Sequence, residues 1–574
     1  MHSFRVWAPA ARTVAVRLDS NEYPLEKDAR DWWRVDVEEA GHGTEYAFSI
    51  DRDKPLPDPR SAFQPRGIHG PSLVVDHSRF EWHDAHWQPP PLSSAILYEL
   101  HIGTFTPGGT FLSAIDRLDH LVELGITHVE LMPVNEFSGS AGWGYDGVDL
   151  YAPHHDYGTP DELKTLIDAC HAKGLAVLLD VVYNHLGPLG NYLSRFGPYF
   201  TEAYHTPWGA AINLDHAGSF EVRRFLLDNA SMWLRDYHFD GLRIDAVHAF
   251  HDNSAIHFLE DLSSNVACLS AHLGRYLVLI VESDLNDPRL VTPREVGGFG
   301  IDAQWSDDFH HTLHTVLTGE NRGYYEDFGS IEQLAKALRR AFVYDGIYSP
   351  HRRRIHGRPV MGLSGHHFLA YAQNHDQIGN RARGERLSHL VSLGKTKIAA
   401  ALVLTSPYLP MLFQGEEFGA SSPFQYFTHH DEPDLAHSVS EGRKHEFAAF
   451  GWEPEAVPDP QDEETFERSK LKWDELTRAP HAGLLDWHHQ LITLRRKYPE
   501  LTDGRMENVE VRFDENARWL SMKRGRVQTI CNFAGARQSI PVCCASRVKL
   551  CSTNDYKFHA NAIELPADSV AILI

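Results

Sequence analysis

Runs of apolar residues recur along the middle of the chain and alternate with longer stretches that have a helical period. Eight of these runs have the length of a buried strand and contain few polar residues. Near-continuous apolar strands separated by helices indicate a parallel sheet that is covered on both faces. The predicted strands are Ala95–His101, His128–Pro133, Ala176–Tyr183, Gly241–Val247, Leu277–Glu282, Ile301–Trp305, His367–Gln373 and Tyr408–Gln414.

Two of the segments between these strands carry clear helix signals. Asp161–Lys173 follows Pro160, begins with an acidic first turn and is followed by Gly174, which is a common stop residue. Ser219–Tyr237 is the second predicted helix. Eight strand and helix units over roughly 400 residues predict an α/β fold, a (β/α)8 barrel with inserts rather than an open sheet.

At both ends of the chain the pattern changes to short segments in which apolar and polar residues alternate. The first part contains Phe4–Trp7, Thr13–Leu18, Trp32–Val37 and Glu45–Ile50, and the last part contains Val509–Phe513, Trp519–Met522, Val527–Phe533 and Ser569–Ile574. Such alternation is typical of antiparallel sheets. We therefore predict three domains: an N-terminal β-sandwich over residues 1–88, the barrel over 89–503 and a C-terminal antiparallel β-domain over 504–574.

Composition and charge argue against several classes of function. The 574 residues carry a formal charge of 54 − 78 = −24, which argues against a nucleic-acid partner because phosphate contacts need a basic surface. The chain has no uninterrupted apolar run of membrane-spanning length, and its first residues lack the apolar core of a signal peptide. We expect no membrane partner and a soluble cytoplasmic enzyme, either a monomer or a weak homodimer.

The chain has six cysteines and 37 histidines, which raises the question of a metal site. The cysteines are Cys170, Cys268, Cys531, Cys543, Cys544 and Cys551. They are sparse and lack CxxC spacing, so we predict reduced thiols. The histidines show no HExxH spacing. We predict neither a metal nor a cofactor.

Three of the predicted strands end at a carboxylate, and barrel enzymes carry their chemistry at that end of the strands. The fourth strand ends at Arg243-Ile244-Asp245, the fifth at Glu282 and the seventh at Asn374-His375-Asp376. Side chains two positions apart in a strand share a face, so Arg243 would lie beside Asp245 and favour its ionised form. An acid at one strand end often only caps a helix. Three such ends favour a chemical role.

Three converging carboxylates suit a reaction with a cationic transition state, and glycoside cleavage is the main example. Asp245 would attack as the nucleophile. Glu282 follows four apolar residues, where desolvation raises a carboxyl pKa into the general-acid range. Asp376 would stabilise the transition-state charge. A retaining mechanism requires that the carboxyl groups of Asp245 and Glu282 lie about 5–5.5 Å apart.

Four segments, which include the three strand ends above and the end of the third strand, resemble the signature regions of the α-amylase superfamily, glycoside hydrolase family 13. They are Asp180–His185, Gly241–Val247, Val281–Asp284 and Asn374–Asp376. The resemblance implies that Asp245 is the nucleophile, Glu282 the general acid and base, and Asp376 the transition-state stabiliser. It also implies substrate contacts by Tyr145, His185, Arg243, His248, Asp307, Asp308, His310, His311, Asn374 and His375.

Among these contacts, Tyr145 resembles the aromatic platform under the reacting sugar, since its ring can stack on the apolar face of a pyranose. His185 and His375 resemble the ligands of the sugar hydroxyls. The polar stretch from Asp307 to His311 follows the sixth strand. It could equally be a solvated loop without contact to the sugar.

Further segments are most similar to family members that hydrolyse the α-1,4 bond next to the terminal trehalose of a maltooligosyl trehalose. They are Phe4–Pro9, Thr206–Gly209, Asn213–Asp215, Glu282–Asp287, Asp307–His311, Val457–Asp462 and Ser469–Leu471. The implied products are trehalose and a shortened maltooligosaccharide. Glycogen branching and debranching relatives share some of these segments and remain an alternative. A non-catalytic glucan-binding protein is a remote alternative, because a binding module does not need both a nucleophile and an acid.

Overall fold

The computed structural model describes residues 1–448, 453, 457–543 and 547–574. Eight strands form a closed parallel barrel at its centre. In chain order they are Leu97–Leu100 (β1), His128–Leu131 (β2), Ala176–Val181 (β3), Gly241–Ile244 (β4), Val278–Val281 (β5), Ala303–Trp305 (β6), Phe368–Ala370 (β7) and Leu409–Phe413 (β8). Each lies within one of the eight predicted runs, so the barrel prediction is confirmed.

Neighbouring strands follow the chain order around the barrel, and β8 pairs with β1 to close it. All residues of β3, β4 and β5 are buried, as near-continuous apolar strands require. Gly241 opens β4 where an added Cβ would lie 2.4 Å from the backbone oxygen of Val278. The absence of a side chain at this position therefore lets β4 and β5 approach closely.

Helices surround the barrel. The longer ones are Pro160–Ala172 (α1), Ser219–Asp236 (α2), Phe258–Leu273 (α3), Asp307–Thr318 (α4), Ile331–Arg340 (α5), Leu393–Thr405 (α6), Pro433–Ala448 (α7) and His481–Lys497 (α8). The predicted helices at Asp161–Lys173 and Ser219–Tyr237 correspond to α1 and α2. Thr159 and Glu162 form a capping box at the start of α1, in which each side chain accepts the backbone N–H of the other.

Short antiparallel sheets occupy both ends of the chain, which confirms the predicted flanking β-domains. The N-terminal sheets contain His2–Trp7, Glu26–Lys27 and Trp32–Val37 in one, and Val14–Leu18, Asn21–Pro24, Glu45–Ile50 and Ser72–Leu73 in the other. The C-terminal sheets contain Val509–Asp514, Trp519–Arg524, Val527–Asn532, Val548–Cys551 and Ser569–Leu573 in one, and Gln538–Pro541, Lys557–Phe558 and Ala562–Leu565 in the other. Helix α6 packs against the five-stranded C-terminal sheet, at Val527–Asn532 and Ser569–Leu573, and so joins it to the barrel.

Two hairpins extend from the barrel near its carboxyl-terminal rim. One pairs Asn135–Glu136 with Asp149–Pro153, between β2 and α1. The other pairs Phe200–Thr206 with Gly209–Ile212, between β3 and α2. Inserts after barrel strands are the usual source of substrate contacts in this architecture.

A buried network of histidine and aspartate fastens the segment before the barrel to the amino ends of its strands. Asp84 accepts hydrogen bonds from Nδ1 of His171 and Nδ1 of His238, both at 2.8 Å. Asp240, directly before β4, accepts from Nε2 of His171 at 3.0 Å and from Nε1 of Trp87 at 2.8 Å. Both ring nitrogens of His171 face carboxylates. Burial lowers the pKa of His171, but Asp240 and Asp84 outweigh it, so the net pKa is raised.

The cysteines Cys170, Cys268, Cys531, Cys543 and Cys551 are free thiols. Cys544 lies outside the described residues. Across the described ranges, we find no helix with the length and apolar character needed to cross a membrane.

Candidate active site

Arg243 lies at the centre of the candidate active site, where it is completely buried and binds three carboxylates. Its Nη1 donates to Oδ2 of Asp180 at 2.6 Å and to Oδ1 of Asp245 at 3.0 Å. Its Nη2 donates to Oε2 of Glu282 at 2.6 Å. The ring centroid of Trp305 lies 4.1 Å from the guanidinium carbon. A planar cation held against an aromatic face keeps the donor fork in one orientation.

The three acids around Arg243 come from the ends of neighbouring strands. Asp180 lies in β3 and pairs in register with Arg243, Asp245 follows β4 directly, and Glu282 follows β5 directly. Ala246 then adopts a left-handed backbone with φ +41°, which is costly for a residue with a side chain and is typical of functional sites. This turn aims the Ala246 N–H at Oε2 of Glu282, 3.2 Å away.

Burial acts to raise the pKa of both Asp245 and Glu282, and the two groups differ in how far the surrounding charges and donors offset it. Burial raises the pKa of Glu282 well above its ordinary value; the charge of Arg243 opposes this, and those of Asp245 and Asp376 reinforce it. Burial also acts on Asp245, but Arg243 and the Asn184 amide, 2.9 Å from Oδ2, bring its net pKa below the ordinary value. Two carboxyls with separated pKa values can divide the roles of base and acid.

Asp180 is the third acid that binds Arg243, and its environment also raises its pKa. Burial raises the pKa of Asp180 to about 6, with Arg243 acting in the opposite direction and Asp245 reinforcing the rise. The phenol of Tyr145 donates to Oδ2 of Asp180 at 2.6 Å. The carboxyl therefore anchors Tyr145 beside the acids.

Tyr145 and His375 form an aromatic wall next to the acids. Their ring centroids are 5.0 Å apart and their planes are inclined by 23°. Glu99 from β1 binds Nδ1 of His375 through one oxygen and accepts its backbone N–H through the other at 3.2 Å. Burial lowers the pKa of His375, but the charges of Glu99 and Asp376 outweigh it and raise the net pKa.

Asp376 projects from the first turn of the short helix His375–Gly379 and is the most open of the three predicted catalytic acids. Its side chain is 39 % exposed, compared with 11 % for Asp245 and 15 % for Glu282. Asn374 caps this helix, since its Oδ1 accepts the N–H of Asp376 at 3.0 Å. The amide oxygen of Asn374 therefore holds the turn that presents Asp376, whereas its Nδ2 has no partner among the described residues.

His185 lies just beyond the end of β3 and directly follows Asn184, whose amide binds Asp245. Its ring stacks on Trp208, with centroids 4.4 Å apart and planes inclined by 9°. Nδ1 of His185 contacts Oδ1 of Asn184, and burial lowers the His185 pKa, which favours the neutral ring at neutral pH. The next predicted contact, His248, is exposed on the turn Val247–Ala249.

The polar stretch from Asp307 to His311 forms the first turns of α4 rather than a loop. Asp307 accepts a hydrogen bond from the buried phenol of Tyr371. Burial raises the pKa of Asp307 to about 6, and the charges of Asp284 and Asp376 reinforce this effect. Asp307 in turn contributes to the raised pKa of Glu282, so the structure brings it to the acid cluster.

The structure does not bring Asp308 and His310 to the mouth of the barrel. Oδ2 of Asp308 accepts the backbone N–H of Val343 at 2.7 Å and that of Tyr344 at 2.9 Å. His310 is completely buried, with Nδ1 2.8 Å from the carbonyl oxygen of Ala372. Both residues are thus occupied by contacts within the protein.

His311 is also buried, in an aromatic cluster. Its ring centroid is 5.2 Å from Tyr324 and 5.0 Å from Phe328. Burial lowers its pKa to about 3, so the ring is neutral at neutral pH.

Asp180, Glu99 and Trp305 belong to the site but were not among the predicted site residues. Each lies at or next to the carboxyl end of a barrel strand, in β3, β1 and β6 respectively. That position is the signal that could have identified them. The interaction between Arg243 and Asp245 was expected and is present at 3.0 Å.

The closed barrel, its flanking sheets and the acids at its strand ends agree with the α-amylase class of glycosidases, to which sequence and structure comparisons also point. The family model for the alpha amylase catalytic domain matches residues 78–202, and the model for carbohydrate-binding module 48 (isoamylase N-terminal domain) matches residues 2–62. A crystal structure of a protein from Salmonella typhimurium superposes with a TM-score of 0.92 at 37 % sequence identity, covering 99 % of this chain and 97 % of that chain.

Sequence relatives narrow this class. The malto-oligosyltrehalose trehalohydrolase of Rhizobium sp. (strain M-11) is 48 % identical over 580 residues, covering 99 % of this chain and 97 % of that protein. The enzyme of the same name from Mycobacterium tuberculosis (strain ATCC 25618 / H37Rv) is 48 % identical over 582 residues, covering 100 % and 99 %. The chain belongs to the malto-oligosyltrehalose trehalohydrolase family.

Proposed function

We propose that the protein hydrolyses the α-1,4-glucosidic bond next to the terminal trehalose of a malto-oligosyl trehalose and releases trehalose. The observation that carries the proposal is the buried pair Asp245 and Glu282 on one guanidinium, in a chain that is 48 % identical to trehalohydrolases over nearly its whole length. We assign Asp245 as the nucleophile, Glu282 as the general acid and base, and Asp376 as the stabiliser of the transition state.

In the first step, Glu282 donates its proton to the glycosidic oxygen while Asp245 attacks the anomeric carbon. The bond between that carbon and the glycosidic oxygen breaks, and trehalose leaves with the proton. A glycosyl ester remains on Asp245. The raised pKa of Glu282 and the lowered pKa of Asp245 provide the protonation states that this step requires.

In the second step, the Glu282 carboxylate accepts a proton from water as the water oxygen attacks the anomeric carbon. The ester bond to Asp245 breaks, and the shortened malto-oligosaccharide leaves with its original anomeric configuration. Both carboxyl groups return to their starting states. Asp376 approaches the charged sugar from the open side of the site in both steps.

The shared guanidinium supports a retaining rather than an inverting reaction. Asp245 and Glu282 bind adjacent nitrogens of Arg243 at 3.0 Å and 2.6 Å, so the width of one guanidinium group separates their contacting oxygens. This arrangement favours the short carboxyl separation of about 5–5.5 Å found in retaining enzymes over the gap of about 6.5–9.5 Å that accommodates water in inverting ones.

The residues around the acids suggest how the sugar is held. We assign Tyr145 as the platform under the reacting sugar, His185 and His375 as ligands of its hydroxyls, and Asp307 as a further contact. Arg243 holds the acids. The exposed His248 lies where a longer substrate could reach it.

Four of the predicted contacts are assigned other or additional roles. Asn374 positions Asp376 through its helix cap. Asp308 and His310 position the loops around α4, since their polar atoms bind within the protein. His311 contributes an aromatic surface next to Tyr324.

The test is incubation of the purified protein with maltotriosyl trehalose, with maltopentaose as a control substrate. We expect free trehalose from the first substrate, and proton magnetic resonance should detect the α-anomer of the shortened sugar before mutarotation. Glu282→Gln and Asp245→Asn provide the inactive controls. Branched glucan without free trehalose would instead identify a branching enzyme, and first formation of the β-anomer would contradict retention.

A further inference from the structure

A second cluster of chemically reactive side chains lies at the base of the hairpin that pairs Asn135–Glu136 with Asp149–Pro153. Glu136, His154 and His155 each offer one ligand-type atom here, and these atoms all lie within 4.8 Å of one another. We propose that Glu136, His154 and His155 bind a divalent transition cation of the zinc type. The proposal is independent of the glycosidase mechanism, since none of the three residues belongs to the acid cluster.

The spacing of the donor atoms fits a bound cation. Oε1 of Glu136 is 2.9 Å from Nδ1 of His155, and Oε2 of Glu136 is 3.4 Å from Nδ1 of His154. Ligand atoms that each lie about 2.0–2.2 Å from Zn²⁺ at near-tetrahedral angles are about 3.3–3.6 Å apart. The Glu136–His154 distance lies in this range, and the Glu136–His155 contact, which is a hydrogen bond in this structure, would lengthen on binding. Two imidazoles with one carboxylate are also a known donor set for zinc, with a fourth position left for water.

His154 provides the strongest evidence because its ring is completely buried and makes no hydrogen bond in the described part of the chain. The Glu136 oxygen is near Nδ1 but out of line for a hydrogen bond. The ring is held in place by Phe137, with centroids 3.8 Å apart and planes inclined by 18°. Burial of an unpaired imidazole is unfavourable. A bond from Nδ1 to a cation would give a partner to one of its two unpaired ring nitrogens.

The surrounding charge also favours a cation. Asp149 is buried and lies opposite Glu136 in the register of the hairpin. Its Oδ2 has no hydrogen-bond partner among the described residues. Two neighbouring buried carboxylates repel each other, and a dication between the strands would offset that repulsion. The His155 side chain is 27 % exposed, which gives an ion access from solvent.

The position of the cluster indicates what the cation does. Glu136 precedes the hairpin loop and His154 follows it, and the loop between them carries Tyr145, the ring next to His375. A cation bound to both ends would tie the base of this loop. Its expected effect is therefore greater thermal stability rather than a chemical step.

The test uses the full-length protein without an affinity tag, stripped with a chelator and dialysed. Titration with Co²⁺ should give one equivalent by elemental analysis and the intense visible absorption of a tetrahedral site, which Zn²⁺ then displaces. The absence of a thiolate charge-transfer band would separate this site from the cysteines. Zn²⁺ should raise the melting temperature of the stripped protein.

Variants connect the signal to the cluster. His154→Ala, His155→Ala and Glu136→Gln should each weaken Co²⁺ binding at least about tenfold, since even the loss of an outer-shell partner has that effect. The matched control is His120→Gln, which removes a single imidazole paired with Glu417 at 2.8 Å and should leave binding unchanged. If His154→Ala does not fold, the result for His155→Ala tests the proposal, because His155 is partly exposed and its substitution should be better tolerated.

Three outcomes would overturn the proposal. They are less than one equivalent in the wild-type protein at saturating Co²⁺, unchanged binding in His155→Ala, or equal loss of binding in His120→Gln. The last outcome would assign the signal to dispersed histidines. Trehalose release from maltotriosyl trehalose is measured separately, so failure of the cation proposal and failure of the proposed reaction give different results.

Discussion

Two buried networks of acids lie at opposite ends of the barrel strands and differ in how their charges are balanced. At the carboxyl ends, the single guanidinium of Arg243 forms ion pairs with Asp180, Asp245 and Glu282. At the amino ends, His171 lies between the carboxylates of Asp84 and Asp240, and further donors supplement it. The first network has excess negative charge, whereas the second matches its two carboxylates with His171 and with Arg275, whose Nε lies 4.0 Å from Oδ1 of Asp240.

Because of this difference, the acids of the first network are suited to catalysis, whereas the acids of the second network stabilise the fold. Three carboxylates on one cation repel each other, so the network holds a proton that it can donate, and burial places that proton on Glu282. A carboxylate that has its own donors gains no such proton. Burial and an excess of negative charge together therefore give a network a proton that it can donate.

Neutralising one acid of the Arg243 network at the carboxyl ends of the strands, called here the upper network, should have the largest effect on activity. We expect Asp245→Asn to lower kcat at least about 10³-fold, because the nucleophile is lost. In the companion variant Glu282→Gln the melting temperature should stay the same or rise, because the folded protein already favours the uncharged form of this group. Trehalose release and differential scanning calorimetry measure the two effects. A clear fall in melting temperature would contradict our view of the upper network as strained by repulsion.

Arg243→Lys should damage both activity and stability. A lysine ammonium cannot reproduce the planar fork that binds three carboxylates, so buried acids lose their partner. We expect a loss of at least about 100-fold in kcat/KM and of about 3–5 kcal/mol in the free energy of unfolding. Urea denaturation and the trehalose assay test this, and near-wild-type values in both would show that a point charge suffices.

His171→Leu, in the network at the amino ends of the strands, should lower stability and leave activity nearly unchanged. It leaves Asp84 and Asp240 without their shared donor, so the free energy of unfolding should fall by about 3 kcal/mol. The kcat should remain within about twofold, since the site lies at the other end of the strands. A large loss of kcat in folded His171→Leu would show that the two networks are coupled.

The contribution of His171 should also depend on pH. Its pKa is raised in the folded protein above the ordinary 6.5. The contribution is therefore fully present below the unfolded pKa and is lost as pH rises through the folded pKa. The difference in unfolding free energy between wild type and His171→Leu should be larger near pH 6 than near pH 9, and a constant difference would contradict the raised pKa.

The smallest effect is expected at Asp307. Its charge helps to raise the pKa of Glu282, so Asp307→Asn should lower that pKa while keeping an acceptor for Tyr371. The alkaline limb of the kcat/KM profile should then move to lower pH. A profile that is unchanged or moved to higher pH would show that Asp307 is not coupled to the general acid.

Much of the fold could be predicted because its strands are buried on both faces. Continuous apolar runs such as Val278–Val281 leave little ambiguity, and all eight strands form where they were expected. The acids at the strand ends could be proposed for the same reason, since closure of a parallel barrel brings those ends together. The ion pair of Arg243 with Asp245 could be predicted because side chains two positions apart in a strand point to the same face.

The remaining parts depend on which neighbours meet across the barrel. Periodicity does not show that Arg243 also binds Asp180 and Glu282, because that requires the register of three strands. Nor does it show that the polar run at the start of α4 is buried. Asp308 and His310 satisfy their polar atoms inside the protein, and a sequence of polar residues looks the same whether its partners are protein or water.

The three contacts of Arg243 also have a consequence for folding kinetics. A guanidinium cannot leave water at low cost until its carboxylate partners are in place. Two of these partners, Asp180 and Glu282, are 63 and 39 residues away in the chain. Pairings of that kind form late in folding because they close long loops. A refolding intermediate with formed helices and terminal sheets would thus be inactive, and the return of enzymatic activity would report closure of the barrel.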